Sequence, residues 1–365
     1  MQLIYLSPVA WSSFAQRPHK FVEWFHRTTG KNVLWIEPYP TRFPVLADFS
    51  RSRVAKGNEN DLPPNWLTVL SPKAIPIEPI PASGIFNGIL WGTIIRNIKN
   101  FISDAPTMIV IGKPSVLALT IIHKFNELVS IYDAMDDFSS FYTGYSRWAM
   151  SNREKKMVKR VSKVWVSSTR LQQRWSKIKS DVCLVPNGLD EKILPVPNSS
   201  VCVRDTKVFG YIGTMGMWFD WSWVTELAKA RPNDVIKLIG PLFAPPSCEL
   251  PENIEILKPC SQREALLAMQ DFDVGLIPFK NNELTASVDP IKYYEYRALG
   301  LPVISSAFGE MVFRKNAEGV FLINPNEEID IIINKSLKFK DNDQKIREFI
   351  SNNTWGARFT SSKLL

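Results

Sequence analysis

The sequence predicts an α/β protein built from two successive doubly wound domains. Short apolar runs bounded by turn residues recur along the chain, helical patterns separate them, and the series restarts after a Pro- and Ser-containing stretch at 194–201. Continuous apolar strands that alternate with helices are typical of parallel sheets covered on both faces. The length of 365 residues also exceeds what one hydrophobic core usually serves.

The elements follow one another in the same way in both blocks. The predicted strands of the first block are Leu3–Leu6, Val33–Ile36, Met108–Ile111, Val129–Tyr132, Lys163–Val166 and Cys183–Val185. Those of the second block are Val208–Ile212, Ile236–Ile239, Ile254–Ile256, Val274–Ile277 and Pro302–Ser305. We therefore place the domains at 1–190 and 205–345, with a linker at 191–204. Such sheets bind ligands beyond the carboxyl ends of their strands, so two Rossmann-like domains that face each other across a cleft are expected.

Composition and charge narrow the class of protein. The chain has a net charge of +8 at pH 7, and 45% of its residues are hydrophobic, as in ordinary globular domains. Because the basic residues are dispersed and match no aromatic-basic module, a nucleic-acid partner is not expected. The cysteines, at positions 183, 202, 248 and 260, have no close spacing, which favours a cytoplasmic location over a disulfide framework. The N-terminus lacks the basic flank of a signal peptide.

The segment at 287–305 contains the residues that best indicate a ligand. Asp289 is placed to cap a helix whose first residue is Pro290. A helix N-terminus attracts anions, and Lys292 adds a positive charge in the first turn. Glu295, one turn later on the same face, can accept two hydrogen bonds from ribose hydroxyls. The combination suits a nucleoside diphosphate, although an ordinary capped helix with a structural ion pair gives the same pattern.

Several blocks of the chain resemble one family. The run Pro290-x-Lys292-x-x-Glu295-Tyr296-x-Ala298-x-Gly300-x-Pro302-Val303 resembles the donor-site signature of the GT-B glycosyltransferases, particularly the family 4-like group. The likeness to bacterial polysaccharide-assembly transferases continues, in the family's order, at 16–19, 33–38, 132–138, 185–190, 210–215 and 353–358. The resemblance implies a GT-B fold whose C-terminal helix, within 346–365, crosses back to the first domain.

The resemblance also implies which residues bind the sugar donor. In this family the lysine-to-glutamate helix holds the nucleotide, and we expect Gly213 to let the backbone approach the phosphates. The donor-binding residues are then Gly213, Thr214, Met215, Ser287, Pro290, Lys292, Tyr294 and Glu295. Many relatives have a glutamate where this chain has Ser287, and the loop at 213–220 contains neither the Arg nor the Lys that often binds the diphosphate. Lys292, helix N-termini and Arg17 would then neutralise the diphosphate.

Asp136 and Asp137, directly after a predicted strand, are the candidate catalytic residues. An inverting transfer needs a carboxylate that accepts the proton of the acceptor hydroxyl. A retaining transfer needs instead close packing of acceptor, donor and diphosphate, with a polar group nearby. Adjacent buried carboxylates raise each other's pKa, which favours a proton acceptor near neutral pH. We expect one of the two to cap the helix at Phe138 and Asp136 to lie beside the acceptor. On the acceptor or phosphate side, the candidates are Gln16, Arg17 and His19.

No metal and no cofactor are expected, because no spacing matches a metal motif such as H-E-x-x-H. The segment 271–273 has the letters of an Asp-x-Asp metal site, but it directly precedes a predicted strand and fits a helix-to-strand turn better.

The sequence thus predicts an enzyme that moves a hexose-type sugar from a nucleoside diphosphate sugar to a saccharide during surface polysaccharide synthesis. A nucleotide-sugar epimerase of the same fold and a noncatalytic nucleotide-binding subunit are the alternatives. An apolar stretch at 75–102 and a basic run at 153–160 also have two interpretations. In the first interpretation, 75–102 is a buried connection and 153–160 is a solvated helix face. In the second, both segments form a surface that contacts the inner face of the membrane and a lipid-linked acceptor.

Overall fold

A computed structural model of the chain describes residues 1–43, 62–195, 205–247, 249–323 and 328–364. The contacts divide the chain into two compact units, one of Met1–Val185 with Ser361–Leu365 and one of Pro186–Thr360. The division thus falls five residues before the end predicted for the first domain at 190. Most of the predicted linker, at 196–204, lies outside the described residues.

Within the described residues, the first unit contains a seven-stranded parallel sheet in the order β3-β2-β1-β4-β5-β6-β7. Its strands are β1 (Gln2–Leu6), β2 (Val33–Ile36), β3 (Leu67–Leu70), β4 (Thr107–Ile111), β5 (Val129–Ala134), β6 (Lys163–Val166) and β7 (Val182–Leu184). Its helices are α1 (Arg17–Thr29), α2 (Ser83–Leu90), α3 (Gly92–Ser103), α4 (Val116–Lys124), α5 (Gly144–Arg160) and α6 (Thr169–Ser176). A short 3-10 helix, Phe138–Phe141, follows β5.

The second unit repeats this organisation with a parallel sheet of six described strands in the order β10-β9-β8-β11-β12-β13. The strands are β8 (Val208–Ile212), β9 (Val235–Ile239), β10 (Ile254–Leu257), β11 (Val274–Ile277), β12 (Val303–Ser306) and β13 (Val320–Ile323). The helices are α7 (Trp221–Ala230), α8 (Gln262–Met269), α9 (Ile291–Ala298), α10 (Ile329–Lys338), α11 (Asp343–Asn353) and α12 (Trp355–Ser361). A 3-10 helix, Gly309–Arg314, lies between β12 and β13.

The predicted doubly wound α/β class is therefore confirmed, and the central strands are found where the apolar runs predict them. β3 and β13 are absent from the prediction. Both lie at the edge of a sheet, and most of their residues are only partly buried. The polar Thr68 interrupts the apolar run of β3, whereas β13 is a continuous apolar run that the prediction omitted.

The strand order fixes where each sheet can receive a ligand. In the second unit, the chain winds outward from β8 through β9 to β10, and then returns to add β11, β12 and β13 on the other side of β8. Loops after two neighbouring strands diverge at such a reversal and leave a crevice at the carboxyl edge. The crevice of the second unit is thus at the loops after β8 and β11, and that of the first unit is at the loops after β1 and β4. No helix in the described ranges combines the length and apolar character that crossing a membrane requires.

Candidate functional site

The loop after β8, residues 213–220, is joined by hydrogen bonds to the loops after β9 and β11. The Gly213 amide donates to the Ile239 carbonyl at 2.9 Å, and the Met215 amide donates to the Pro241 carbonyl at 2.9 Å. On the other side, the Lys280 amide donates to the Trp218 carbonyl at 2.8 Å. Three loops at the carboxyl edge of the sheet thus form one connected rim around the β8–β11 crevice.

Glycine is required at two positions of this rim. Gly240 has a φ of +144°, and a Cβ atom there would lie 2.1 Å from the Gly213 carbonyl oxygen. Gly213 itself has a φ of +154°, and its added Cβ would lie 2.7 Å from the Tyr211 hydroxyl oxygen. The two backbones approach closely because neither residue has a side chain. The predicted donor-binding Gly213 is therefore a point of close backbone packing at the crevice.

Lys292 and Glu295 lie on α9, the helix that follows the loop after β11. The Lys292 Nζ atom is 2.6 Å from Glu295 Oε2, in an ion pair across one helical turn. The side chains are 24% and 7% exposed, so the pair is mostly shielded from water while the ammonium group keeps access to solvent. The structure thus brings together the two residues that the sequence selects for phosphate and ribose binding.

Asp289 does not cap α9, so that part of the prediction is wrong. The helix begins at Ile291, Pro290 occupies the N-cap position, and no side chain hydrogen-bonds the first turn there. The Asp289 carboxylate is used elsewhere: Arg314 Nη2 donates to Oδ1 at 2.6 Å, and the Tyr294 hydroxyl donates to Oδ2 at 2.9 Å. A buried carboxylate binds a guanidinium more strongly than a backbone amide, so Arg314 determines its orientation.

The other predicted donor-side residues fall into two groups. Thr214 is partly exposed in the rim, and its carbonyl accepts a hydrogen bond from the Tyr211 hydroxyl at 3.0 Å. Met215, Ser287, Pro290 and Tyr294 have buried side chains. Tyr294 lies with Arg314 and Asp289, where it supports the start of α9 from inside the unit. Their direct contact with a donor stays a prediction.

In the first unit, Arg17 at the start of α1 forms a buried ion pair with Asp133 at the end of β5. Its Nη2 atom is 2.8 Å from Asp133 Oδ1, and its Nη1 atom donates to the Val185 carbonyl at 2.8 Å. The side chains are 3% and 0% exposed. The guanidinium that we expected at a diphosphate thus binds the interior carboxylate that precedes the Asp136–Asp137 pair.

Asp136 and Asp137 have different surroundings. Arg174 Nη1 is 2.7 Å from Asp137 Oδ2, and the Ser139 hydroxyl donates to Asp137 Oδ1 at 2.6 Å. Asp137 precedes the 3-10 helix at Phe138 without a side-chain hydrogen bond to its first turn, so the expected cap is not formed. The Asp136 carboxylate forms no ion pair or hydrogen bond with the residues that the structure describes, although it is partly buried.

Burial raises the pKa of Asp136 from 3.8 to about 7. The Arg17 guanidinium opposes this shift, whereas the Asp137 and Asp133 carboxylates add to it. A carboxylate with a pKa near neutrality can accept a proton from a hydroxyl and release it again. Of the two candidate residues, Asp136 therefore has the electrostatics of a general base.

Gln16 and His19 form the start of α1. The Gln16 amide donates to His19 Nδ1 at 3.2 Å, so the neutral ring carries its proton on Nε2, which lies 3.1 Å from the Trp11 carbonyl oxygen. Burial lowers the pKa of His19, which keeps the ring neutral. Both ring nitrogens are engaged within the protein, so His19 orients the loop after β1 rather than offering a free nitrogen to a ligand.

The sequence did not indicate two residues near these sites, Arg314 and Glu154. Arg314 fixes Asp289, and nothing in its local sequence indicates that contact. Glu154, fully buried on α5, accepts a hydrogen bond from the Tyr132 hydroxyl at 2.8 Å and lies 3.5 Å from Arg174. Its signal was visible as the single acid within the basic run at 153–160.

Metal chemistry has no visible support in the described ranges, where no three His, Cys, Asp or Glu side chains converge as they would around an ion. The segment 271–273 connects α8 to β11, as predicted, and Asp273 Oδ2 accepts a hydrogen bond from the Val208 amide at 2.9 Å. A metal-independent reaction stays a prediction.

No protein-family model matches the chain. Over 197 residues it is 24% identical to a protein of Bacillus subtilis (strain 168) that carries the name of a teichuronic acid biosynthesis glycosyltransferase, TuaH. The alignment covers 48% of this chain and 50% of that relative, so the chain spans about half the length of the curated relative that it matches.

Similar solved structures cover both units. The lipopolysaccharide outer core galactosyltransferase WaaB matches with a TM-score of 0.62 and 11% identity, covering 100% of this chain and 99% of that one. HepE of Anabaena, solved in complex with UDP and glucose, matches with a TM-score of 0.61 and 15% identity, covering 100% and 95%. At these identities the likeness shows the fold, which is the two-domain α/β architecture of the GT-B glycosyltransferases.

Proposed function

We propose that the protein is a glycosyltransferase that moves a sugar from a nucleoside diphosphate sugar to a saccharide acceptor. The observation that carries this proposal is the mostly shielded Lys292–Glu295 pair on α9, beside the β8–β11 crevice of a GT-B fold. The likeness to WaaB and HepE and the relative named as a glycosyltransferase support it.

The Lys292–Glu295 ion pair is compatible with a binding site that contains no ligand. Without a donor, Lys292 and Glu295 neutralise each other at 2.6 Å. When a nucleoside diphosphate binds, the ammonium group turns toward the phosphates, and the carboxylate becomes available to two ribose hydroxyls. Gly213, which has no side chain, lets the phosphates approach the backbone of the rim. Lys292 thus binds the diphosphate and Glu295 the ribose in this proposal.

Asp136 is the proposed proton acceptor for the acceptor hydroxyl. As the sugar is transferred, the bond from the anomeric carbon to the diphosphate breaks, the hydroxyl oxygen attacks that carbon, and the hydroxyl proton moves to Asp136. The pKa of about 7 leaves Asp136 able to take that proton near neutral pH. In this scheme Lys292 offsets part of the charge of the leaving diphosphate, and no bound metal takes part.

The acceptor is proposed to be a lipid-linked saccharide that is extended during surface polysaccharide synthesis at the inner face of the membrane. The relative's name places that protein in teichuronic acid biosynthesis. On α2, the side chains of Ile85, Phe86 and Ile89 are 72%, 61% and 82% exposed, an apolar face of the kind that rests on lipid. Arg153 links the basic helix α5 to the segment before α2 through Glu78, at 3.2 Å.

A panel of sugar nucleotides, each incubated with the protein alone and with a bacterial lipid extract, tests the proposal. We expect slow release of nucleoside diphosphate without acceptor and incorporation of the sugar into lipid with it. Appearance of an epimeric sugar nucleotide without acceptor would instead indicate an epimerase. Tight nucleotide binding without any turnover would indicate a noncatalytic nucleotide-binding subunit. Ser287, which stands where many relatives have a glutamate, is consistent with that alternative.

The membrane contact has its own test. We expect the protein to sediment with vesicles that contain phosphatidylglycerol and to remain in solution with phosphatidylcholine vesicles. Replacing both Phe86 and Ile89 with Ser should weaken the sedimentation. Asn87, on the buried side of α2, is not a suitable control because its side chain accepts a hydrogen bond from the Ile75 amide. The exposed Leu267 on α8 of the second unit provides the matched apolar-to-Ser control. Equal sedimentation of all variants would exclude α2 as the contact.

A further inference from the structure

An open pocket of about 450 Å³ lies in the first unit. It is formed by the 3-10 helix after β5, the first turns of α5, and α6. The residues that line it are Asp137, Ser139, Gly144, Arg147, Trp148, Ser151 and Arg174. Its size falls in the range of about 300–1,000 Å³ that holds small ligands.

One wall of this pocket is an exposed aromatic ring. The Trp148 side chain is 57% exposed, and its ring is stacked on that of Tyr145 with centroids 5.2 Å apart and planes at 25°. Tyr145 supports the indole so that it presents a flat, fixed surface. The C–H groups of a sugar ring carry partial positive charge and pack well on the negative face of an aromatic ring. The wall is thus suited to a saccharide.

The charges of the lining favour an anion. Arg147 and Arg174 contribute two positive charges, and Asp137, which pairs with Arg174 at 2.7 Å, contributes one negative charge. Arg174 also contacts Glu154, at 3.5 Å, but burial raises the pKa of Glu154 to about 8, so that carboxyl group is largely protonated at neutral pH. The Arg174 side chain keeps 29% of its surface exposed. Guanidinium groups bind carboxylates and phosphates through paired hydrogen bonds.

We propose that this pocket binds an acidic saccharide, with the sugar ring on Trp148 and its anionic group at Arg147 and Arg174. The inference rests on the proposed glycosyltransferase function and assigns its acceptor side a substrate class: a sugar that carries a carboxylate or a phosphate. Ser151 lines the same pocket and offers a hydroxyl for the hydroxyl groups of the ring.

Calorimetric titration of the whole chain with simple probes tests this inference. The probes are methyl glucuronide and glucose 1-phosphate as the two acidic sugars, methyl glucoside as the neutral sugar, and inorganic phosphate. We expect one or both acidic sugars to bind at least about tenfold more tightly than methyl glucoside and than inorganic phosphate. Tighter binding of the glucuronide indicates a uronic acid, and tighter binding of the phosphate ester indicates a phosphosugar.

Variants separate recognition from folding. Arg147→Gln should weaken binding of the preferred acidic sugar by about tenfold and leave the neutral sugar unchanged, while Trp148→Ala should weaken both. Lys159→Gln, an exposed charge removal on the same helix, is the control and should change neither. Thermal unfolding of each variant shows that it is folded. Equal binding of acidic and neutral sugars, or full binding by Arg147→Gln, would overturn the inference.

The donor site is measured separately in the same variants. If nucleoside diphosphates bind and depend on Lys292 while no acidic sugar binds, this inference fails and the proposed function stands. If acidic sugars bind through Arg147 while no nucleotide binds, the pocket is confirmed and the proposed function fails.

Discussion

Asn187 holds Asp289 through two hydrogen bonds of 2.7 Å. Its backbone amide donates to Asp289 Oδ2, and its side-chain amide donates to the Asp289 carbonyl. Arg314 donates to the other carboxylate oxygen, at 2.6 Å. Because Asp289 is two residues before α9, these bonds determine where the helix starts and hence where Lys292 and Glu295 lie. The contact between Asn187 and Asp289 is thus a support of the proposed donor site.

Asp289→Asn tests this support. The variant leaves the Arg314 guanidinium without its carboxylate, and breaking a buried ion pair costs about 3–5 kcal/mol. We therefore expect a large loss in the free energy of unfolding, measured by urea denaturation, and weaker nucleotide binding by the folded fraction. Glu348→Gln removes an exposed carboxylate of the same unit and should change stability by less than about 0.5 kcal/mol. Equal stability of the two variants would contradict the role of Asp289.

The Asn187–Asp289 contact also shows what the sequence could and could not predict. The sequence identifies the segments 185–190, 287–305 and 353–358 as parts of the family resemblance, but no local pattern predicts contacts between them. In the structure, the Leu189 amide donates to the Asn353 carbonyl at 2.9 Å, and a Cβ on Gly188 would lie 3.0 Å from the same oxygen. Capping preferences, which wrongly assigned Asp289 to α9, depend only on neighbours in sequence. Arg314, 25 residues later, outweighs them.

The fold was more predictable than the sites. Buried parallel strands such as β4 are continuous apolar runs, and they alternate with helices, so class and strand positions follow from the sequence alone. The pairing of Asp137 with Arg174, which leaves Asp136 without such a partner, depends instead on the packing of α6 against β6 and β7. It could not be derived from two adjacent aspartates.

The activity should depend on pH through Asp136. Because its pKa is raised to about 7, the carboxyl group is protonated below that pH and cannot accept the acceptor's proton. We expect kcat/KM to rise about tenfold per pH unit up to about pH 7 and then to level off, measured by transfer into lipid. Asp136→Asn should lower the rate by at least about a hundredfold. Asp137→Asn removes a negative charge that raises the pKa of Asp136, so the midpoint of the pH–rate profile should move to lower pH. A profile unaffected by either change would exclude Asp136 as the base.

Stability should decrease as the pH rises from 4.5 to about 8 because of Glu154. Its pKa is raised from 4.5 to about 8 in the folded chain, so the native state binds more protons than the unfolded state between these values. The free energy of unfolding therefore falls as pH rises through this window, by up to a few kcal/mol. Glu154→Gln cannot ionise and should lose much less stability between about pH 5 and about pH 8. An equal loss in both proteins, measured by urea denaturation, would show that Glu154 is not responsible.

Gly240 and Gly88 provide a matched pair of Gly→Ala changes. At Gly240 the new methyl group would lie 2.1 Å from the Gly213 carbonyl oxygen, at a φ of +144°. We expect a loss of at least about 3 kcal/mol and a disrupted donor rim. At Gly88, within α2, no atom lies within 4 Å of the added carbon, so Ala should stabilise the helix by about 0.5–1 kcal/mol. Thermal unfolding measures both, and a tolerated Gly240→Ala would show that the rim is not closely packed.

The central claim is that Lys292 and Glu295 form a nucleotide site rather than a structural ion pair. The most direct measurement is the affinity of the preferred nucleoside diphosphate, chosen from UDP, GDP, ADP, CDP and dTDP, for Lys292→Ala and Glu295→Ala. We predict losses of at least about tenfold in each. Lys292→Ala should also remove the preference for a diphosphate over a monophosphate, and Glu295→Ala the preference for a ribose over a dideoxyribose. Lys345→Ala, which breaks the exposed pair with Glu318, is the control. Unchanged nucleotide affinity in folded Lys292→Ala and Glu295→Ala would contradict the account.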